Sequence, residues 1–119
     1  MRVLVVEDDA AFARGLVDLL SLQGHQVRLA EDADAALAAM ESERFEVVLT
    51  DYALGARTGA ELAERIAGFA PAPFVVLLTG YATRPDDPAF LTTGVGAVLP
   101  KPCRGAELRA ALARAMGAG

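Results

Sequence analysis

The 119-residue sequence holds one cysteine, Cys103. An internal disulfide and a thiolate metal cluster are both excluded, and a reducing cytoplasm is the expected compartment. Uninterrupted apolar runs are only a few residues long, far short of the roughly 20 needed to span a bilayer, so no membrane association is expected. Met1-Arg2 leads into a short apolar run and then acids, without the small-residue cleavage site of a secretory signal. Basic charge is scarce too: 11 Lys and Arg stand against 16 Asp and Glu, for a net charge of −5. That balance disfavours direct nucleic-acid binding through a basic face. No segment is repeated or of low complexity. What remains is 54% hydrophobic and 23% charged, the composition of a compact acidic domain, read as one unit over 1–119.

Apolar runs that read as strands alternate with helical patterns along the chain. The strands are expected at Arg2–Val6, Gln26–Leu29, Val47–Thr50, Phe74–Thr79 and Gly96–Leu99. Most are continuous Val/Leu runs, as in parallel strands covered on both faces. Gln26–Leu29 alternates and is placed at a sheet edge. Helices are expected at Ala10–Leu22, closing before a left-handed Gly24, at Asp34–Glu43, at Ala60–Phe69 with Pro71 ending it, and at Ala106–Met116 before Gly117. With no hairpin signal between the runs, the pattern predicts a doubly wound α/β domain. Ligands of such folds bind outside the carboxyl ends of the strands.

Those ends are chemically loaded. The first strand runs into Glu7, Asp8 and Asp9, the third ends in Asp51, the fourth in Thr79 and the fifth near Lys101-Pro102. Parallel strands bring these to one rim. Three clustered carboxylates without a partner resist ionisation together. A hard divalent cation such as Mg²⁺, which favours oxygen ligands, resolves the conflict. Three carboxylates carry −3, and Mg²⁺ with Lys101 carries +3. Asp9 is best placed as the cap of the following helix. A cation, an ammonium and a hydroxyl beside a carboxylate are also the equipment of phosphoryl transfer. Asp51 is the best nucleophile, because it stands alone at its strand end while Glu7 and Asp8 form a pair suited to metal. His25 reads as a turn residue after Gly24, and Cys103 as a small buried hydrophobe.

The segments VVEDD (Val5–Asp9), TDYALGARTG (Thr50–Gly59), VLLTGYA (Val76–Ala82) and VLPKPC (Val98–Cys103) together resemble the receiver domain of bacterial two-component response regulators. The resemblance covers essentially the whole chain. Asp8, Asp51, Thr79 and Lys101 follow one another at separations of 43, 28 and 22 residues, and four motifs in that order are specific. The resemblance implies a flavodoxin-like parallel sheet ordered 2-1-3-4-5 with five flanking helices. It implies Asp51 as acceptor of a phosphoryl group from the phosphohistidine of a histidine kinase or a histidine phosphotransfer protein. It implies Mg²⁺ held by Asp8, Asp51 and the Ala53 carbonyl, with Glu7 acting through metal-bound water. Thr79 becomes the switch hydroxyl, Lys101 its cationic anchor, and the Lys101-Pro102 bond is expected to be cis.

Four departures stand out. Val98 occupies a position where many family members carry Tyr or Phe, and its stiff, small side chain should blunt the usual aromatic switch. Gly55 replaces a common Pro and is expected to loosen the loop after Asp51. RPDDPAF (Arg84–Phe90) should delay the fourth helix and shorten it to about Pro88–Thr93. Tyr81, two residues past Thr79, could shield the phosphoryl site from water.

The expected function is a signalling switch, catalytic only toward its own phosphorylation and dephosphorylation. It would act on a downstream protein target or a domain of its own parent chain, as a monomer or weak dimer. Two alternatives differ in kind. One is a haloacid-dehalogenase-like phosphohydrolase, which needs a second acid two residues after the nucleophile, where this chain has Ala53. The other is an adaptor receiver that works without phosphorylation. The chain's limits suit a stand-alone or N-terminal receiver, or one excised from a larger protein such as a hybrid histidine kinase.

Overall fold

A computed structural model describes residues 1–80 and 94–117. In chain order the elements are β1 (Arg2–Val6), α1 (Ala10–Leu22), β2 (Gln26–Ala30), α2 (Ala33–Ser42), β3 (Val47–Asp51), β4 (Ala53–Leu54), β5 (Arg57–Thr58), α3 (Gly59–Ile66), β6 (Phe74–Gly80), β7 (Val95–Lys101) and α4 (Gly105–Ala115). The parallel sheet has the order β2-β1-β3-β6-β7. Counting its five strands alone, that is the expected 2-1-3-4-5, with the alternating Gln26 run at an edge. Four helices lie among the described residues. The expected short helix over Pro88–Thr93, the RPDDPAF stretch and Tyr81 fall outside them.

Each strand feeds both faces of the sheet because successive side chains point to opposite sides. Leu4 and Val6 join Val48 in a core with Ala36 and Ala39 of α2 and Leu62 and Ile66 of α3. Val3 and Val5 join Val47, Leu49, Val76 and Leu78 in a second core, against Leu16 and Leu20 of α1 and Leu108 and Leu112 of α4. β3 is buried along its whole length and is paired on both sides, with β1 and with β6. Its continuous apolar composition follows from having no solvent face.

Local chemistry sets the helix ends. Asp9 caps α1 by accepting from the Phe12 N–H at 3.1 Å, and Gly24 follows its end at φ 90°. Asp32 caps α2 through the Ala35 N–H, so this helix starts one residue before the expected Asp34. α3 begins on a capping box in which Thr58 accepts from the Glu61 N–H and Glu61 accepts from the Thr58 N–H. It stops with Ala67 as C-cap, four residues before Pro71. Phe69, expected in the helix, instead sits in a turn whose N–H donates to the Ile66 carbonyl.

The loop after Asp51 overturns one expectation. β4 and β5 pair antiparallel, Ala53 with Thr58 and Leu54 with Arg57, so the chain does contain a hairpin. Gly55 lies in the turn between the two short strands. At φ 72° it supplies the backbone conformation that a tight turn needs and a side chain disfavours. The ribbon is too short for a periodic pattern to announce it.

Gly59 begins α3 directly behind β3. A Cβ at this position would lie 2.4 Å from the Asp51 carbonyl oxygen and 2.9 Å from Leu77 Cδ2. Gly15, by contrast, lies within α1, and a Cβ there would meet nothing within 4 Å. Gly59→Ala is therefore expected to destabilise the fold by about 2 kcal/mol, and Gly15→Ala to stabilise it by about 0.5–1 kcal/mol. Urea unfolding midpoints of the two variants against the parent check both signs. Equal midpoints for parent and Gly59→Ala would show that the helix start yields without cost.

Candidate functional site

β1, β3, β6 and β7 deliver their loaded ends to one rim of the sheet. The register pairs Val6 with Thr50, Asp51 with Leu78, Thr79 with Pro100 and Gly80 with Lys101. Carboxylate oxygens of Glu7, Asp8 and Asp51 all lie within 4.8 Å of one another. The acids expected to share a cation are thus brought together. Asp8 is exposed, whereas Asp51 is only 8% exposed and Glu7 only 2%.

Glu7 is held by named partners. Lys101 Nζ donates to Glu7 Oε1 at 2.7 Å, and the Asp9 N–H donates to Glu7 Oε2 at 3.1 Å. Burial pushes the Glu7 carboxyl above its ordinary range, opposed by these two hydrogen bonds and reinforced by the Asp51 charge. For Lys101, burial acts downward, but the Glu7 hydrogen bond and the charges of Asp51 and Glu7 outweigh it and hold the ammonium above its ordinary value. The same Nζ lies 3.4 Å from Asp51 Oδ2 and 4.3 Å from the centre of the Phe12 ring. One ammonium therefore serves both buried acids. It offsets one of three carboxylate charges and leaves two, the charge of a divalent cation.

The Ala53 N–H approaches Asp51 Oδ1 at 3.4 Å, which sets the Ala53 backbone beside the carboxylate. The Gly59 N–H donates to the Tyr52 carbonyl, tying the start of α3 to the residue after Asp51. Thr79 is 1% exposed, and its Oγ1 is buried with no hydrogen-bond partner among the described residues. A hydroxyl left in that state is costly unless a ligand answers it. Val98 pairs with Leu77 in the β6–β7 register and packs with Tyr52 and Val95 against Ala60 and Leu77. The Lys101-Pro102 bond is cis, as expected.

Residues expected to play structural parts do so. Asp9 is a helix cap. His25 receives the Met1 amino group at Nδ1, 3.1 Å away, at the opposite end of β1. Cys103 is half-buried beside the α1–α4 core, and burial pushes its thiol up. Sequence reasoning missed three contributors: the Glu7–Lys101 pair, the Phe12 ring over Lys101, and Gly59 behind Asp51. The T-x-x-E pattern at Thr58–Glu61 signalled the helix start at Gly59. Nothing local signalled the other two, which depend on pairings across the sheet.

The donor set suits Mg²⁺: hard carboxylate oxygens and a residual charge of two. Among the described residues no helix is long and apolar enough to cross a membrane. The sequence model of the response regulator receiver domain matches residues 3–113. A response regulator receiver protein of Anaeromyxobacter is 34% identical over 85% of this chain and 42% of its own length. The sensor histidine kinase AruS of Pseudomonas aeruginosa is 37% identical over 94% of this chain, which corresponds to 12% of the kinase. The chain thus spans less than half the length of either relative. A CheY-like response regulator receiver domain protein of Methanospirillum hungatei superposes with a TM-score of 0.84 at 30% identity, covering 99% of this chain and 98% of its own. In fold, in motif order and in the make-up of its acidic rim, this chain belongs to the response regulator receiver domain family.

Proposed function

We propose that this receiver is a phosphorylation-dependent switch, with Asp51 as the residue that takes the phosphoryl group. The observation that carries the proposal is the convergence of Glu7, Asp8 and Asp51 on one rim with Lys101 Nζ bridging two of them. An Asp51 carboxylate oxygen attacks the phosphorus of a phosphohistidine on a histidine kinase or phosphotransfer protein. The P–N bond breaks, and the imidazole leaves with the electron pair and takes up a proton. Lys101 balances charge on the transferred group, and the buried Thr79 hydroxyl donates to one of its oxygens. Mg²⁺, bound through Asp8, Asp51 and the Ala53 carbonyl with Glu7 acting through water, would neutralise phosphoryl oxygens during transfer. The domain catalyses only its own phosphorylation and dephosphorylation.

The output is a shift between inactive and active arrangements, sensed by a downstream protein or by another domain of the parent chain. Val98, packed among Tyr52, Val95 and Leu77, lacks an aromatic ring to swing, so Thr79 transmits the change without that partner. The domain works in the cytoplasm as a monomer or weak dimer and needs neither nucleic acid nor membrane.

Two measurements test these statements. Incubation with acetyl phosphate and Mg²⁺, followed by intact mass, should show one phosphoryl group added to the parent and none to Asp51→Asn. No gain at any donor concentration would favour an adaptor that works unphosphorylated. Separately, millimolar Mg²⁺ should raise the thermal midpoint, because a ligand at about 100 times its Kd adds about 2.7 kcal/mol. Asp8→Asn should abolish most of that rise, and a rise that survives the substitution would place the cation elsewhere.

A further inference from the structure

The site so far consists of acids, a hydroxyl and an ammonium, yet a fourth kind of group touches it. Lys101 Nζ sits 4.3 Å from the centre of the Phe12 ring. The lysine side chain is only 21% exposed, and the same ammonium reaches Glu7 at 2.7 Å and Asp51 at 3.4 Å. Glu7 and Asp51 take two directions of approach to the ammonium, and the ring face takes a third. The negative face of an aromatic ring attracts a cation, most strongly where water is excluded.

The ring arrives there through the same acidic junction that builds the site. The Asp9 carboxylate caps α1 by accepting from the N–H of Phe12 itself, while the Asp9 N–H holds Glu7. Cap, ring and Glu7 are therefore fixed together. The ordinary account of Phe12 is core packing. It is half-buried and borders the α1–α4 core. That account explains its apolar character and leaves the ammonium over its ring unexplained, since any aliphatic residue could fill the same border.

We propose that Phe12 is a positioning residue for phosphoryl transfer: its ring holds the Lys101 ammonium at the shared point between Glu7 and Asp51. A lysine has four rotatable side-chain bonds and a strongly hydrated head. Without the ring, its charge would swing toward water and spend less time where the transferred group develops negative charge. The group the ring touches is Lys101, and its effect passes through that ammonium. The inference rests on Asp51 being the phosphoacceptor.

The test compares the parent with Phe12→Leu, Phe12→Tyr, Lys101→Met and the Phe12→Leu/Lys101→Met double variant. Single-turnover phosphorylation by acetyl phosphate at saturating Mg²⁺ should slow about five- to tenfold in Phe12→Leu, the scale of one partly desolvated cation–ring contact. Phe12→Tyr, which keeps the ring, should stay within about twofold of the parent. In the Lys101→Met background, Phe12→Leu should add less than about twofold, because the coupling partner is gone. Mg²⁺ affinity should be unchanged throughout the Phe12 series. A core role alone would slow both backgrounds equally, and that result overturns the proposal. A second readout needs neither donor nor metal. The Lys101 methylene protons next to Nζ should show an upfield ring-current shift by NMR in the parent and Phe12→Tyr, and lose it in Phe12→Leu. An unshifted parent signal refutes the contact. If the parent takes up no phosphoryl group, the phosphoacceptor assignment fails on its own terms, and the role given to Phe12 in transfer falls with it even where the NMR contact stands.

Discussion

The ion pair between Lys101 and the buried Glu7 carboxylate is the constraint on which the rest of the site depends. A carboxylate so withdrawn from water is costly unless it is both paired and hydrogen-bonded. Here the pairing partner comes from the last strand of the sheet and the acid from the first. The interaction closes only if β1, β3, β6 and β7 lie in the correct order and register. Asp51 inherits the arrangement, because the ammonium that answers Glu7 is also the nearest cation to Asp51. Fold and chemistry are thus tied by one short contact that reaches past two intervening strands.

That contact also explains why the acids do not destroy the domain. Glu7 is neutralised by Lys101 and Asp9 caps a helix, whose positive N-terminal end favours a carboxylate. Asp8 is left to solvent. The three consecutive acids at the end of β1 therefore meet three different fates within a few ångströms. Only the combination of Asp8 with Asp51 remains short of positive charge, and that shortage is what suits the rim to a cation.

Much of this was legible before any coordinates. The Val/Leu runs located the strands because fully covered strands need no polar alternation, and the acids, Thr79 and Lys101 were legible because they stand where those runs stop. Helix ends were less so: α3 stops at Ile66 although an apolar residue in step with the helix, Phe69, follows. There the turn chemistry of Gly68 and Phe69 won over periodicity. The β4–β5 ribbon was illegible because two residues per strand leave no pattern, and a glycine reads equally as looseness or as a turn. The Glu7–Lys101 and Phe12–Lys101 contacts lie beyond any local signal. They join residues 94 positions apart in the first case and similarly distant in the second. Gly59 was visible as part of a motif, but the reason for it, a backbone pressed against Asp51, needed the packing.

The central placement of β3 has a consequence of its own. Asp51 rises from a strand with no free edge and no open face, and Gly59 leaves no spare room behind its carbonyl. The main chain under Asp51 is accordingly hemmed in by its neighbours. If Asp51 takes a phosphoryl group as proposed, the room for a shape change lies in the pieces that flank it, the glycine-turned ribbon on one side and the end of β6 on the other. On that reading the message would leave the domain through its margins and not through its centre.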